Sequence, residues 1–162
     1  MSTSLIDWTA AQFTALYTPP ATDATDAEDS NLIEQLDATF APDAEIHLNH
    51  QRNVGSAKFK EFVAGRRGPG TKVECKPEDL VETPFEDGDA DAGTIVAGTA
   101  TLTRTHKFRI RAAPAQTRTV IIFSARIKPN PKPQIVELFH TAVDKPFAVN
   151  LHPAHAVDAR AL

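Results

Sequence analysis

The sequence predicts an α+β domain, with helices in the first part of the chain and strands in the second. Up to Phe40, apolar residues recur at the spacing of a helix face. From Thr71 onward, apolar and polar residues alternate over segments that turn-forming residues separate. A chain of 162 residues with a hydrophobic content of 41% can bury one core. We therefore expect a single domain over residues 1–146, followed by a C-terminal tail over residues 147–162.

Three helices are predicted in the N-terminal part of the chain. The first has Asp7 as its expected N-cap and ends before Pro19, and the second runs to about Phe40. A short strand over residues 44–50 follows, and Ser56 is the expected cap of the third helix. The apolar faces consist of Leu5, Trp8, Phe13, Leu16 and Tyr17 in the first helix, Leu32, Ile33, Leu36 and Phe40 in the second, and Phe59, Phe62 and Val63 in the third.

Four further strands are expected over residues 72–82, 94–111, 117–128 and 134–143, and they form an antiparallel meander. Pro77 cannot donate a ladder hydrogen bond, so it predicts an edge strand or a bulge. The even-numbered residues of the 94–111 strand are expected to face the core. In the last strand, one face carries Val136, Leu138, His140 and Ala142, and the other carries Ile135, Glu137, Phe139 and Thr141.

The composition argues against several kinds of partner and site. The net charge of −4 and the pI near 5.8 give no reason to expect a nucleic-acid or membrane-surface partner. Cys75 is the single cysteine, and the H-x-x-H pair His152 and His155 has no supporting ligand, so we expect no disulfide, no metal and no cofactor. Neither a secretory signal nor a run of roughly 20 apolar residues is evident, so we expect a cytoplasmic protein.

The element order, with FAPDAEIHLNHQRNVGSAKFKEFVAG over residues 40–65 at its centre, resembles that of the NTF2-like superfamily. This superfamily includes SnoaL-like polyketide cyclases, ketosteroid isomerase, scytalone dehydratase and limonene epoxide hydrolase. The resemblance spans residues 6–143 and implies a cone-shaped fold, in which a curved antiparallel or mixed sheet wraps around three N-terminal helices. It also implies a deep pocket between the sheet and the helices and, as in many members, a homodimer.

The resemblance places two unreactive side chains at catalytic positions of ketosteroid isomerase-like members. Leu48 stands at the position of the general base, and Phe123 at that of the acidic donor of the oxyanion hole. This departure argues against isomerisation through an enolate by that set of residues. Tyr17 matches the tyrosine of the first helix in those members, and their pocket-facing row on the last strand corresponds to Leu138, His140 and Ala142.

His140, His106 and Tyr17 are the candidate catalytic residues, because an imidazole titrates near neutrality and can take or give a proton. A structural interpretation stays open for each one. The alternatives are a core histidine bonded to a backbone carbonyl, a histidine turned away by a bend in its strand, and a packed tyrosine whose hydroxyl reaches the surface. The expected lining of the substrate pocket is Phe40, Ile46, Leu48, His50, Phe62, Leu102, Arg104, Ile121, Phe123 and Leu138.

Three functions are compatible with these residues. The first is a SnoaL-like enzyme that acts on a small apolar, polyketide- or terpenoid-like molecule by cofactor-free cyclisation, dehydration or isomerisation. The second is a non-catalytic carrier with the same pocket. The third is a dimeric interaction module, in which Phe123 and Leu48 fill the cone and an outward row of the sheet forms the contact. That row would consist of Val120, Ile122 and Ser124, with Ile135 and Phe139.

Basic residues surround the hairpin between the second and third strands of the meander. This strip would suit a carboxylate-bearing ligand or an acidic partner. It would equally suit an exposed hairpin that is kept soluble and protected from edge pairing. The basic residues are Arg104, Lys107, Arg109, Arg111 and Arg118.

Overall fold

The computed structural model describes residues 3–19, 25–67, 72–86, 92–110 and 113–146. These residues form three helices and five strands. In chain order the elements are α1 (Leu5–Tyr17), α2 (Thr25–Thr39), β1 (Phe40–Leu48), α3 (Gly55–Ala64), β2 (Lys72–Pro84), β3 (Thr94–Ile110), β4 (Ala113–Lys128) and β5 (Gln134–Pro146). The expected C-terminal tail, with His152 and His155, lies outside the described residues.

The five strands form one mixed sheet in the order β1-β5-β4-β3-β2. Strands β2 to β5 are an antiparallel meander, as predicted, and β1 pairs with β5 in parallel at the other edge. Pro77 therefore lies on the edge strand β2. A proline has no N–H to donate to the ladder, and an edge strand tolerates this loss better than a central strand. The helices cover one face of this sheet, which we call the inner face, and the opposite face is the outer face. Within the described ranges, no helix has the length and apolarity needed to cross a membrane.

Two helix caps differ from the sequence prediction. Helix α1 begins at Leu5, because the Ser4 hydroxyl, and not Asp7, accepts a hydrogen bond from the Asp7 backbone N–H at 3.1 Å. The Ser4 hydroxyl also donates to the carboxylate of Asp7 at 2.8 Å. Asp7 lies three positions after the cap, which is the spacing of a capping box. Helix α3 begins at Gly55, with Val54 at the N-cap and no side-chain cap, so the prediction of Ser56 as the cap was wrong.

A bulge in β5 changes which residues face inward. Ile127 of β4 pairs with Ile135, whereas the preceding Arg126 pairs with Glu137, so Val136 is an extra residue on β5. The bulge brings Ile135 onto the same face as Leu138. Ile135 is consequently buried, and its predicted place in an outward row was wrong.

The core lies between the inner face of the sheet and the helices. The predicted inward row of β3 is confirmed at Val96, Ala100 and Leu102, which are buried. The inner face of β4 is formed by odd-numbered residues from Thr119 to Ile127. The helices contribute Phe13, Leu16 and Tyr17 from α1, Leu32 and Leu36 from α2, and Phe59 and Val63 from α3.

Candidate functional site

A tyrosine and a histidine meet in the core, between α1 and β5. The Tyr17 hydroxyl oxygen lies 2.9 Å from Nε2 of His140. Tyr17 is 0% exposed and His140 is 1% exposed. Tyr17 is the last residue of α1, and His140 lies in the middle of β5, opposite Phe123 of β4. The fold therefore brings together two of the three candidate catalytic residues.

Aromatic rings enclose the His140 imidazole. The rings of Phe59 and Phe62, on α3, meet it edge-on at centroid distances of 5.4 and 5.3 Å. The ring of Phe13, on α1, lies parallel to it at 6.5 Å. Phe13 also stacks on Phe123 at 4.1 Å, so Phe123 fills part of the cone. The polar pair consequently sits in apolar surroundings.

These surroundings keep both members of the pair uncharged. Burial, and after it the positive charge of Arg66, lowers the pKa of His140 from its ordinary value to about 3, and the residue's own backbone opposes this shift. Burial raises the pKa of Tyr17 far above its ordinary value. At pH 7 the pair is therefore a neutral imidazole beside a neutral phenol, with one N–H and one ring lone pair on His140.

The second ring nitrogen of His140 is unpartnered. Nδ1 is buried and has no hydrogen-bond partner in any other described residue. The backbone of His140 itself is close enough to favour the protonated ring, as the smallest of the three effects on its pKa. Leaving a buried polar atom unsatisfied costs about 1–3 kcal/mol, so such an atom in a folded protein calls for an explanation. If Nε2 carries the proton and donates it to Tyr17, then Nδ1 offers a lone pair to a substrate.

Strand β1 and the turn after it hold the backbone of His140 in place. Leu48 pairs with His140 in the parallel ladder, and the backbone N–H of Asn49 donates to the carbonyl oxygen of His140 at 2.9 Å. The side-chain oxygen of Asn49 then accepts from the backbone N–H of Ala142 at 2.8 Å. Asn49 thus extends the β1 edge beyond its end. His50, expected at the pocket mouth, is exposed in this turn and does not reach the buried pair.

A charged cluster lies further along the inner face. Asp144, four residues after His140 on β5, accepts hydrogen bonds from Nη2 of Arg66 at 2.8 Å, from Nη2 of Arg104 at 3.4 Å and from the Thr119 hydroxyl. Partial burial acts to raise the pKa of Asp144. The Thr119 hydrogen bond and the two arginine charges outweigh that effect and lower it. We call Arg66, Arg104, Thr119 and Asp144 the rim cluster.

Arg66 links the rim cluster to the buried pair. Its guanidinium carbon lies 3.6 Å from the centroid of the Phe62 ring, and its Nη1 donates to the Phe62 carbonyl at 3.1 Å. Because Phe62 is itself in contact with His140, a single phenyl ring separates the guanidinium from the imidazole.

His106 lies apart from the other two candidate catalytic residues. Its Nε2 is 3.1 Å from the Thr117 hydroxyl, near the hairpin end of β3 and β4. Gly98 is the β3 residue in the cross-strand row of His140, through Phe123. His106 is eight residues beyond Gly98, about 26 Å along a straight strand at 3.3 Å per residue. His106 therefore does not contribute to the Tyr17–His140 pair.

The predicted pocket residues other than His50 fall into three groups. Leu48, at the edge of the inner face, is buried with Phe123 beside the pair. Phe62 and Arg104 are partly exposed, the first beside His140 and the second in the rim cluster. The remaining members are buried in the core: Phe40, Ile46, Leu102, Ile121 and Leu138. Sequence reasoning missed Arg66, Thr119 and Asp144.

Two open surface depressions that the described residues line lie elsewhere. One, of about 610 Å³, lies between α1 and α2 and is lined by residues such as Ala11 and Gln35. The other, of about 390 Å³, lies beside β1 and β5 and is lined by residues such as Glu45 and Arg126. Neither is lined by the Tyr17–His140 pair.

A histidine with two carboxylates lies on the outer face. Nε2 of His47 is 3.8 Å from Glu45 and 3.6 Å from Glu137. The backbone N–H of Asn53 donates to Nδ1 of His47 at 3.2 Å, so a neutral ring carries its proton on Nε2. A metal ion would need the Nε2 lone pair. This trio, the one metal-like grouping within the described residues, is therefore unsuited to a metal.

No protein-family model matches the sequence, and no curated protein is significantly similar to it. Among solved structures, Mtr2 from Candida albicans has a TM-score of 0.56 and 12% identity, over 85% of this chain and 93% of Mtr2. The complex of C. albicans Mtr2 with the Mex67 M domain gives 0.52 and 10%, over 85% and 93%. A loop truncation variant of IdmH gives 0.46 and 22%, over 82% of this chain and 90% of IdmH.

The likeness to Mtr2 concerns the fold, because the sequence identity is low. The order of the elements in this chain agrees with that likeness, because helices precede an antiparallel meander to which a parallel edge strand is added. The chain thus has the cone-like α+β fold of the NTF2-like superfamily.

Proposed function

We propose that the chain is a small-molecule enzyme that performs cofactor-free acid–base chemistry, with the Tyr17–His140 pair as the proton-transfer group. The observation that carries this proposal is the buried hydrogen bond between the two side chains, together with the unpartnered Nδ1 of His140. A polar pair that served packing alone would gain from a partner at Nδ1, because an unsatisfied buried atom is destabilising.

The proton transfer would use the two ring nitrogens of His140 differently. With the proton on Nε2, the ring donates to the Tyr17 oxygen, and Nδ1 accepts a proton from a C–H or O–H group of the substrate. The resulting imidazolium returns that proton to a leaving oxygen or to another carbon. Dehydration, cyclisation and isomerisation all follow this scheme. A positioned group of this kind contributes about 10²- to 10⁴-fold to the rate.

The aromatic enclosure favours an apolar substrate of the polyketide or terpenoid kind. Burying apolar surface there would contribute about 25 cal/mol per Å². Because His140 is almost completely buried, a substrate reaches Nδ1 only after a neighbouring ring moves. Among the enclosing rings of Phe13, Phe59 and Phe62, Phe62 alone is partly exposed. We expect Phe62 to move when the substrate binds.

The test is a turnover screen with hydroxylated ketones and enones of the polyketide and terpenoid classes, followed by chromatography and mass spectrometry. For a compound that is converted, His140→Gln should lower kcat by about 10²- to 10⁴-fold. His47→Gln is the matched control, since it changes a histidine on the outer face and should leave kcat unchanged. Unchanged turnover of His140→Gln, or no conversion of any compound, would contradict the proposal.

A second proposal concerns a homodimer, and a feature of the outer face favours it. Ile122, Phe139 and Val143 are each more than half exposed, and they lie close together on β4 and β5. A second copy of the chain can cover such a patch isologously, with the same residues on both sides. Light scattering at micromolar concentration should give twice the monomer mass, and Phe139→Asp should give the monomer mass. A monomeric wild-type chain would contradict this proposal.

A further inference from the structure

We infer that the substrate carries a carboxylate, which binds to Arg66 and Arg104 at the rim while its apolar part extends toward the Tyr17–His140 pair. This inference rests on the proposed function, because it assigns the substrate class of the same site. Three features of the rim cluster support the inference. They are its excess positive charge, its unused hydrogen-bond donors and its position relative to the Tyr17–His140 pair.

The rim cluster has an excess of positive charge. Arg66 and Arg104 both pair with one carboxylate, that of Asp144. No other ion pair to either arginine occurs among the described side chains, so the cluster keeps one positive charge in excess. The side chains of Arg66 and Arg104 are only 18% and 16% exposed, so water screens this charge less than on an open surface.

Both guanidinium groups of the rim cluster have unused hydrogen-bond donors. A guanidinium has five N–H donors, and its planar fork suits a carboxylate. The Nε atoms of Arg66 and Arg104 are buried without a hydrogen-bond partner among the described residues. Arg104 makes one hydrogen bond, to Asp144, and that bond is long at 3.4 Å. Asp144 is about half exposed, so it can shift and leave room for a second carboxylate.

The rim cluster lies on the same side of the sheet as the buried pair and within reach of it. Asp144 and His140 lie on the same face of β5, four residues apart, which is about 13 Å along the strand. Arg66 stacks on Phe62, whose ring is 5.3 Å from the His140 ring. A carboxylate at the rim therefore suits an elongated molecule, whose reacting carbon lies several bonds from its acid group.

A bound carboxylate would also act on the imidazole. The charge of Arg66 is one of the two causes that lower the pKa of His140. A substrate carboxylate would offset that charge, so His140 would become a stronger base when the substrate is bound. The unliganded protein, in contrast, keeps the imidazole neutral.

The competing interpretation is a structural ion-pair network that holds α3 against β3 and β5. Such a network needs no ligand and shows no preference between a charged and an uncharged molecule of the same shape. A matched pair of probes therefore separates the two interpretations. We choose 4-phenylbutanoate and 4-phenylbutanamide, which differ in charge and share their length and apolar group.

The experiment measures the binding of both probes to the full chain by isothermal titration calorimetry at low ionic strength. The wild-type protein should bind the carboxylate about tenfold or more tightly than the amide, since hydrogen bonds to charged groups are the stronger kind. Arg104→Gln should reduce this ratio to about threefold or less and leave the affinity for the amide unchanged. Arg66→Lys keeps the charge but loses the planar fork, and it should reduce the ratio partially.

Arg118→Gln is the matched control for charge. Arg118 is exposed on β4 opposite Lys145, and the substitution removes the same positive charge from the chain as Arg104→Gln. It should keep the full preference for the carboxylate. If both probes bind with equal affinity, or if Arg104→Gln keeps the preference, the carboxylate site is contradicted and the apolar site stands. If neither probe binds, the proposed function fails and the carboxylate site fails with it.

Discussion

His140 and His47 resemble each other in one respect and differ in what surrounds them. In each ring, one nitrogen takes part in a hydrogen bond and the other is buried without a hydrogen-bond partner among the described residues. Their strands are neighbours, and Leu48, next to His47, pairs with His140. His140 points to the inner face, among aromatic rings, and His47 lies on the outer face, stacked on Phe139.

The difference lies in what fixes the proton. The backbone N–H of Asn53 can only donate, so it assigns the proton of a neutral His47 to Nε2, where two carboxylates face it. The Tyr17 hydroxyl can donate or accept, so it permits His140 to exchange its proton between the two nitrogens. A histidine thus suits proton transfer where its partner is adaptable and its free nitrogen faces no permanent charge. The inner face meets these conditions and the outer face does not.

The largest effect on stability should distinguish the two faces. Phe59→Ala removes a fully buried ring and should lower the free energy of unfolding by about 3–5 kcal/mol. Phe139→Ala, on the outer face, should lower it by about 0.5 kcal/mol or less in dilute solution. Urea denaturation measures both values. A loss for Phe139→Ala that grows with protein concentration would indicate that a second copy covers the outer face.

The pH dependence of stability should come next in size. Between about pH 6.5 and about pH 3, the unfolded chain binds a proton at His140 that the folded chain excludes. The free energy of unfolding therefore decreases as the pH falls through this range, by an amount on the order of 4 kcal/mol. His140→Gln should flatten this part of the profile, and His47→Gln should retain it. Equal slopes for wild type and His140→Gln would show that folding does not lower the pKa of His140.

A smaller effect should follow from removing the tyrosine hydroxyl alone. Tyr17→Phe keeps the ring packing and leaves Nε2 of His140 without a partner, which should cost about 1–3 kcal/mol. Thr99→Val is a control, because it removes an exposed hydrogen bond to the Glu78 carbonyl and should change stability by about 0.5 kcal/mol or less. Chemical denaturation compares the two variants. A Tyr17→Phe variant as stable as wild type would mean that the hydrogen bond is not formed.

Most of the fold could be predicted from the sequence, because alternation and helical spacing act over many residues. The meander and the inward row from Val96 to Leu102 are examples. The bulge at Val136 could not be predicted, since Ile135 and Val136 are both apolar and a single inserted residue leaves no mark on such a pair. The sequence prediction placed the cap of α1 at Asp7 and was wrong, although Ser4 precedes Asp7 at the spacing of a capping box and could have indicated the correct cap.

The candidate site was only partly predictable. Tyr17 and His140 each stood out alone, but 123 positions separate them, and single-sequence patterns do not report contacts at that range. Asp144 could have been found by continuing the inward alternation of β5 two residues beyond Ala142. Arg66 gave no signal, since it follows the end of α3, where a basic residue is ordinary.

The role of the Tyr17–His140 pair in proton transfer is best tested by a nitrogen-15 NMR spectrum of the His140 imidazole, recorded from pH 8 to about pH 4. We expect a neutral ring throughout, with the proton on Nε2 and a lone pair on Nδ1, and a change at Nε2 in Tyr17→Phe. A ring that titrates with a midpoint near about 6.5, the ordinary value, or that carries its proton on Nδ1, would contradict the assignment of Nδ1 as the proton acceptor.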